Sequence, residues 1–360
     1  MRRLITFAAI ACVVPTGFAA DVSQPERSIV DLYRQSAPAV VRVIVATEDL
    51  DENGKPRTTR LALSGFFISR EGRVLTNSTA KGTRIWVEKD GLSYLAESVG
   101  SDARTNLGLL QVNKLPGQFG IIALPKSDEP LEIGTAILAV TSPLEFDPTP
   151  SAGLITGYES AFSDYPPFPT SYMRISIPGP QGSGGSPVLD MHGDLAGITL
   201  ASLPQVNSTY ALPVRAIARV VEDLAANHKV LYGSLPIEFI DGADKQNISR
   251  QVVVASVVPD STAARAGIRP GDIVRKLGLS DVHRMNDVRD ALFYARVGKF
   301  LAMEIERDGK RLEFQLQVEP RAELPSAPAM PTATTVPAPA EPSPTPPPSE
   351  MNPPATRGGG

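Results

Sequence analysis

Residues 178–190 read PGPQGSGGSPVLD. Glycine at 179, 182, 184 and 185 lets the backbone enter conformations closed to other residues, so the run reads as a tight turn. Residues 186–189 leave that turn as a short strand, with Pro187 near its start. The turn gathers the hydroxyl of Ser183 and several backbone N–H groups in one place. Whether they do chemistry depends on what the rest of the chain sets beside them.

Outward from this turn the texture repeats. Strand-like runs lie at 136–140, 152–158, 172–177, 195–200 and 209–212, and with 186–189 they form one set. An earlier set lies at 40–45, 65–69, 73–76, 84–88, 96–100 and 107–112, with Gly, Asp or Asn between most of them. Many short strands with turn signals between them indicate a barrel or sandwich, and two sets of this size predict two six-stranded β-barrels. A short amphipathic helix is expected over 28–33, and 214–226 (VRAIARVVEDLAA) has the apolar spacing of a closing helix. A third unit begins near Lys229, with strands at 251–258, 301–306 and 312–318 and helices at 263–266 and 287–295. This mix makes a small α+β domain. From residue 320 the chain is rich in proline and cannot bury a core, so a disordered, partly polyproline II tail is expected over 320–360, acting as a spacer.

The 360 residues are 42% hydrophobic and 21% charged, with a net charge of −4. That supplies a sizeable core but no clustered basic surface, so nucleic acid is not an expected partner. Met1-Arg2-Arg3 followed by the apolar run 4–14 and small residues near Ala19 and Ala20 reads as a secretory signal peptide over 1–20. The sole cysteine, Cys12, lies inside that run, so the mature chain is expected to have no disulfide. Ala9-Ile10-Ala11-Cys12 loosely resembles a lipoprotein cleavage box, and lipidation of Cys12 is the one route to membrane attachment. No phosphate-binding glycine motif is present, and three scattered histidines with no mature cysteine cannot make a zinc site, so no metal or cofactor is expected.

Several stretches carry a resemblance. Residues 63–69 (LSGFFIS) look like a G-S-G-F-I-I-S strand, 74–80 (VLTNSTA) like I-L-T-N-x-H-V, and 102–110 (DARTNLGLL) like D-x-x-T-D-L-A-V-L. Residues 131–134 (LEIG) and 210–213 (YALP) match L-x-V-G and F-A-I-P. Residues 258–274 (VPDSTAARAGIRPGDIV) are similar to V-x-P-x-S-P-A-x-x-A-G-L-x-x-G-D-V-I. Together these resemble the HtrA family of secreted serine proteases. The resemblance implies a mainly β fold: a trypsin-like double barrel over 21–227, then an α+β PDZ domain over 228–319.

A serine nucleophile needs a base to take its proton, and that base needs an acid to orient it. Mapped on the family motifs, the histidine position falls on Thr79 and the aspartate position on Asn106. A threonine hydroxyl is no base at neutral pH, and an asparagine amide does not stabilise an imidazolium. The only histidines are His192, His228 and His283, so the whole first barrel lacks one. Asp102 has no base to orient. Aligned without gaps, the family's G-N-S-G-G-P lands on Gly182-Ser183-Gly184-Gly185-Ser186-Pro187, so Gly184 takes the nucleophile position. A one-residue insertion returns that role to Ser183. The backbone of Gly182, Ser183 and Gly184 retains N–H groups that can face an anion or a carbonyl. Lys81, after the empty histidine position, leaves a Ser-Lys pair as the only other base, and a solvated turn residue is the simpler account.

PDZ domains hold a peptide C-terminus with the N–H groups of a loop that reads roughly Y-L-G-V in HtrA relatives. Here it reads Ser234-Leu235-Pro236-Ile237, and the proline removes one donor. The expectation is a secreted or periplasmic pseudoprotease that binds peptides or unfolded proteins, or regulates active HtrA relatives, with a homotrimer implied by the resemblance. The alternatives are a residual endopeptidase using Ser183 with an unconventional base, and a structural envelope protein.

Overall fold

The structure, a computed structural model, describes residues 24–50, 54–78, 84–125, 129–160, 168–243 and 250–321. The expected signal peptide, Cys12, Thr79, Lys81 and the Pro-rich tail beyond Arg321 lie outside them; Pro320, where that tail was expected to begin, instead pairs with Gly233 in a short strand. The chain opens with helix α1 (Gln24–Ser36). Six strands follow: β1 (Val40–Leu50), β2 (Pro56–Phe67), β3 (Arg73–Asn77), β4 (Arg84–Lys89), β5 (Leu92–Asp102) and β6 (Leu107–Val112). They close into an antiparallel barrel in the order β1-β2-β3-β6-β5-β4. The second set is β7 (Ala136–Thr141), β8 (Thr149–Glu159), β9 (Tyr172–Ile175), β10 (Pro187–Asp190), β11 (Leu195–Leu203) and β12 (Ser208–Pro213). It closes as β10-β11-β12-β9-β8-β7. The expected double barrel is present. The strands run further than their β-branched centres, because the β1–β2 hairpin supplies ladder partners to flanking polar residues such as Thr47 and Glu48, opposite Thr59 and Thr58.

Alternation along each strand fills the barrels. Val41, Val43, Val45, Leu63, Phe67 and Leu110 point into the first, and Ile137, Ala139, Met173, Ile175 and Val188 into the second. A third cluster lies between the barrels and under helix α2 (Val214–Asn227), which buries Ile217, Val220 and Leu224. Each such side chain contributes about 1.5–3 kcal/mol relative to exposure.

The C-terminal unit holds β13 (Gly233–Ser234), β14 (Ile237–Ala243), β15 (Arg250–Val257), α3 (Thr262–Ala266), β16 (Ile273–Leu277), β17 (Ser280–Asp281), α4 (Met285–Tyr294), β18 (Phe300–Arg307), β19 (Lys310–Gln317) and β20 (Glu319–Pro320). The main sheet runs β14-β15-β16-β18-β19, leaving β14 at an edge. Of these strands, β14 and β16 were not expected from local pattern. Each is short, and the second half of β14 carries Asp241 and Gly242, which signal a turn. Ser261 caps α3 by accepting the N–H of Ala264, and Gly267 ends it at φ 95°.

This unit packs on the barrels through α4. Phe293 joins the inter-barrel core, and the Arg215 guanidinium lies 4.1 Å from the Tyr294 ring centroid. Asp290 accepts three hydrogen bonds from the segment before β9: Thr170 Oγ1 at 2.6 Å, Ser171 N–H at 2.7 Å and Ser171 Oγ at 2.6 Å. Arg296 donates to Asp223 of α2 at 2.9 Å and also reaches Glu222.

Candidate functional site

The turn over 181–186 sits where the barrels meet, and β2 of the first barrel is stitched to it. Ser64 N–H donates to Gly184 O at 2.9 Å, and Ser64 Oγ donates to Gly182 O at 3.0 Å. Ser64 Oγ also accepts the N–H of Ser142 at 3.0 Å. Within the turn, the Ser183 carbonyl accepts Ser186 Oγ at 2.7 Å and Thr199 Oγ1 at 2.6 Å. Gly185 N–H donates to Thr199 O at 2.8 Å. Gly185 has φ 90°, and any Cβ there would fall far inside contact distance of the Ser64 carbonyl oxygen, so only glycine fits. The N–H groups of Gly182 and Gly184 find no acceptor among the described residues.

Ser183 and Gly184 face opposite ways. The Ser183 hydroxyl lies beside Gly179, where Thr209 Oγ1 and Ser202 also gather, on the second-barrel side. Gly184 faces the first barrel: a Cβ there would run into the side-chain amide of Asn77. Asn77 ends β3, is 1% exposed, and donates from Nδ2 to Leu200 O of the second barrel at 3.2 Å. Its Oδ1 is buried without a partner among the described residues.

Asn106 occupies the turn between β5 and β6 at φ 55°, a left-handed conformation that asparagine tolerates. Its carbonyl accepts the N–H of Ser78 at 3.0 Å, while its buried Nδ2 has no partner among the described residues. Asp102 is turned elsewhere. Its Oδ2 accepts Thr105 N–H at 3.0 Å, Thr105 Oγ1 at 2.5 Å and Tyr232 Oη at 2.6 Å. Burial, and then the neighbouring Asp102 carboxylate, push the Tyr232 phenol well above its ordinary pKa, so it stays a donor. The Arg104 guanidinium stacks 4.3 Å from the centroid of the Tyr232 ring. Sequence reasoning missed Asn77, Ser64 and Tyr232. The first two stand in quoted motifs, but no local signal says that they reach across the cleft.

The three histidines lie apart from this cleft. His192 is exposed near Asp190, His228 Nδ1 sits 2.8 Å from Val99 O, and the His283 N–H donates to Asp287. Among the described residues no group of three His, Cys, Asp or Glu side chains is placed to hold a metal ion.

In the C-terminal unit, Ser234 to Ile237 links β13 to the edge strand β14. Leu235 is buried in the domain core, and Pro236 O accepts Val258 N–H at 3.0 Å. Ile237 and Phe239 of β14 face Met285 and Leu292 of α4 around the same core, and all four are half-buried.

Family models agree with this architecture. A trypsin-like peptidase domain model matches residues 63–198, and a PDZ domain model matches residues 234–318. The chain is similar to HtrA-type proteases in sequence and in domain order. A probable periplasmic DegP-like serine endoprotease of Ectopseudomonas mendocina is 29% identical over 305 residues, covering 80% of this chain and 61% of that protein. A similarly named protein of a Marinomonas species is 28% identical, covering 74% and 58%. The putative serine protease HhoB of Synechocystis is 27% identical, covering 73% of this chain and 67% of that one. The chain thus spans about three fifths of the length of the DegP-like relatives it matches. Among solved structures, the HtrA-type protease AlgW with a tripeptide superposes with a TM-score of 0.66 at 22% identity. That match covers 82% of this chain and 98% of AlgW, and it speaks for the fold.

Proposed function

We propose that this HtrA-type chain is a non-catalytic member, a secreted or periplasmic protein that binds peptides or unfolded proteins or regulates active relatives. One observation carries the proposal: the turn residue facing the first barrel is Gly184, which has no side chain to attack with. The degenerate triad positions are then Thr79, Asn106 and Gly184. Asn106 offers an amide where an acid would be needed, and no histidine precedes residue 192. Loss of such a triad costs on the order of a million-fold in rate. Ser183 does not repair it, since its hydroxyl lies on the second-barrel side. What supports a binding role is the surviving framework: N–H groups at Gly182 and Gly184 with no acceptor among the described residues, and an apolar groove along an edge strand. The envelope location is supported by the basic-apolar start and by the periplasmic names of the relatives.

The test incubates the purified mature protein with casein and with a fluorophosphonate probe, beside a Ser183→Ala variant. The expected result is no hydrolysis, no labelling, and suppressed aggregation of a denatured client. Labelling that disappears in Ser183→Ala overturns the proposal in favour of a residual endopeptidase.

A further inference from the structure

The inference concerns which kind of chain the PDZ groove takes, and it rests on the binding role just proposed. β14 bonds to β15 along one edge, and its other edge pairs with no strand among the described residues. Ile237, Phe239, Met285 and Leu292 line the groove, with Val288 buried beneath them. An added strand would find main-chain partners and apolar contacts at alternate positions here.

The end that would hold a chain terminus is built differently. Pro236 has no N–H and a fixed φ. The loop cannot easily turn another donor into that place. β13 is paired to β20, Leu235 is 6% exposed, and the Pro236 carbonyl is held by Val258 N–H. The carbonyl of Ala295, which follows α4, lies beside Gly233 of β13. The next residue, Arg296, is committed to Asp223 and Glu222, so it is not free to neutralise a carboxylate. Arg289 of α4 donates to Asn286. At the opposite end, Asp241 places a carboxylate between β14 and α4, where Oδ1 accepts Met285 N–H at 3.1 Å. A terminal carboxylate held at the Pro236 end of this groove loses a donor and finds Arg296 already paired with two acids.

We propose that the groove binds internal, extended segments of unfolded chains, apolar at alternate positions, and does not select free C-termini. The backbone edge of β14 supplies the affinity, and the ligand's terminal charge contributes nothing.

The test uses the full chain and one fluorescein-labelled decapeptide of alternating Val and Ser, made with a free C-terminal carboxylate and with a C-terminal amide. Fluorescence polarisation gives both Kd values. The two are expected to agree within about twofold, Pro236→Gly to favour the carboxylate form by about tenfold, and Phe239→Asp to weaken both forms at least tenfold. If Pro236→Gly does not fold, Pro236→Ala returns the same N–H and carries the comparison. A wild-type preference of tenfold for the carboxylate, an unchanged ratio in the proline variants, binding untouched by Phe239→Asp, or no binding of either peptide overturns the inference. The casein assay separates the two proposals: proteolysis would sink the non-catalytic reading while leaving this peptide comparison intact, and failed peptide binding would leave the absence of catalysis standing.

Discussion

Two adjacent glycines should respond very differently to a side chain. Gly185→Ala forces alanine into φ 90° and drives its Cβ against the Ser64 carbonyl, a backbone atom that cannot swing aside. The left-handed backbone costs about 1–2 kcal/mol. Relieving the clash separates β2 from the turn and breaks the Ser64 N–H to Gly184 O bond, leaving two buried groups unmet for about 1–3 kcal/mol more. A loss of about 3 kcal/mol lowers Tm by about 6–12 °C, at about 2–4 °C per kcal/mol for a domain of this size. Gly184→Ser meets only the tip of Asn77, whose displacement sacrifices one hydrogen bond to Leu200 O, about 1 kcal/mol. Losing a flexible glycine from the unfolded chain offsets part of that, so the Tm change stays below about 3 °C. Gly184→Ser should also gain no casein hydrolysis, because a hydroxyl without a base is not activated. The assay is calorimetry of both variants beside the parent. Equal Tm losses would refute the turn geometry, and hydrolysis by Gly184→Ser would refute the reasoning about the missing base.

Tyr232 holds its proton more tightly in the folded chain than in the unfolded one, so its contribution to stability is complete below about pH 10 and is lost as pH rises from there toward the raised folded value. Chemical denaturation of the parent between pH 9 and pH 11 should therefore fall more steeply with pH than that of Tyr232→Phe, and parallel profiles would refute the assignment. Asp290→Ala removes three hydrogen bonds that pin α4 to the second barrel. Amide exchange in α4 should accelerate by about thirtyfold, equivalent to about 2 kcal/mol, while β10 and β11 stay protected; unchanged α4 protection would show that Phe293 and Tyr294 carry the docking alone.

Much of this protein is written locally. β-branched runs between glycine and asparagine turns marked both barrels, because alternation has a period that a short window can display. The absent histidine was visible as a matter of inventory. The motif at 258–274 marked the third unit, yet β14 escaped because an edge strand needs only one ladder partner and half of this one reads as turn. The helix over 214–226 was expected nearly to its ends, and its last residue is Asn227.

What the chain spelled out by itself was its element types, its two-barrel count and the lack of any histidine before residue 192. Only the tertiary structure decided that Gly184 faces Asn77 across the cleft while Ser183 turns toward Thr209, and that Asp102 serves Tyr232 at the domain seam. Secondary structure follows from interactions a few residues apart, which a sequence window contains. These pairings join residues 107 and 130 positions apart, and their geometry is fixed only when two closed barrels and a docked helix pack together.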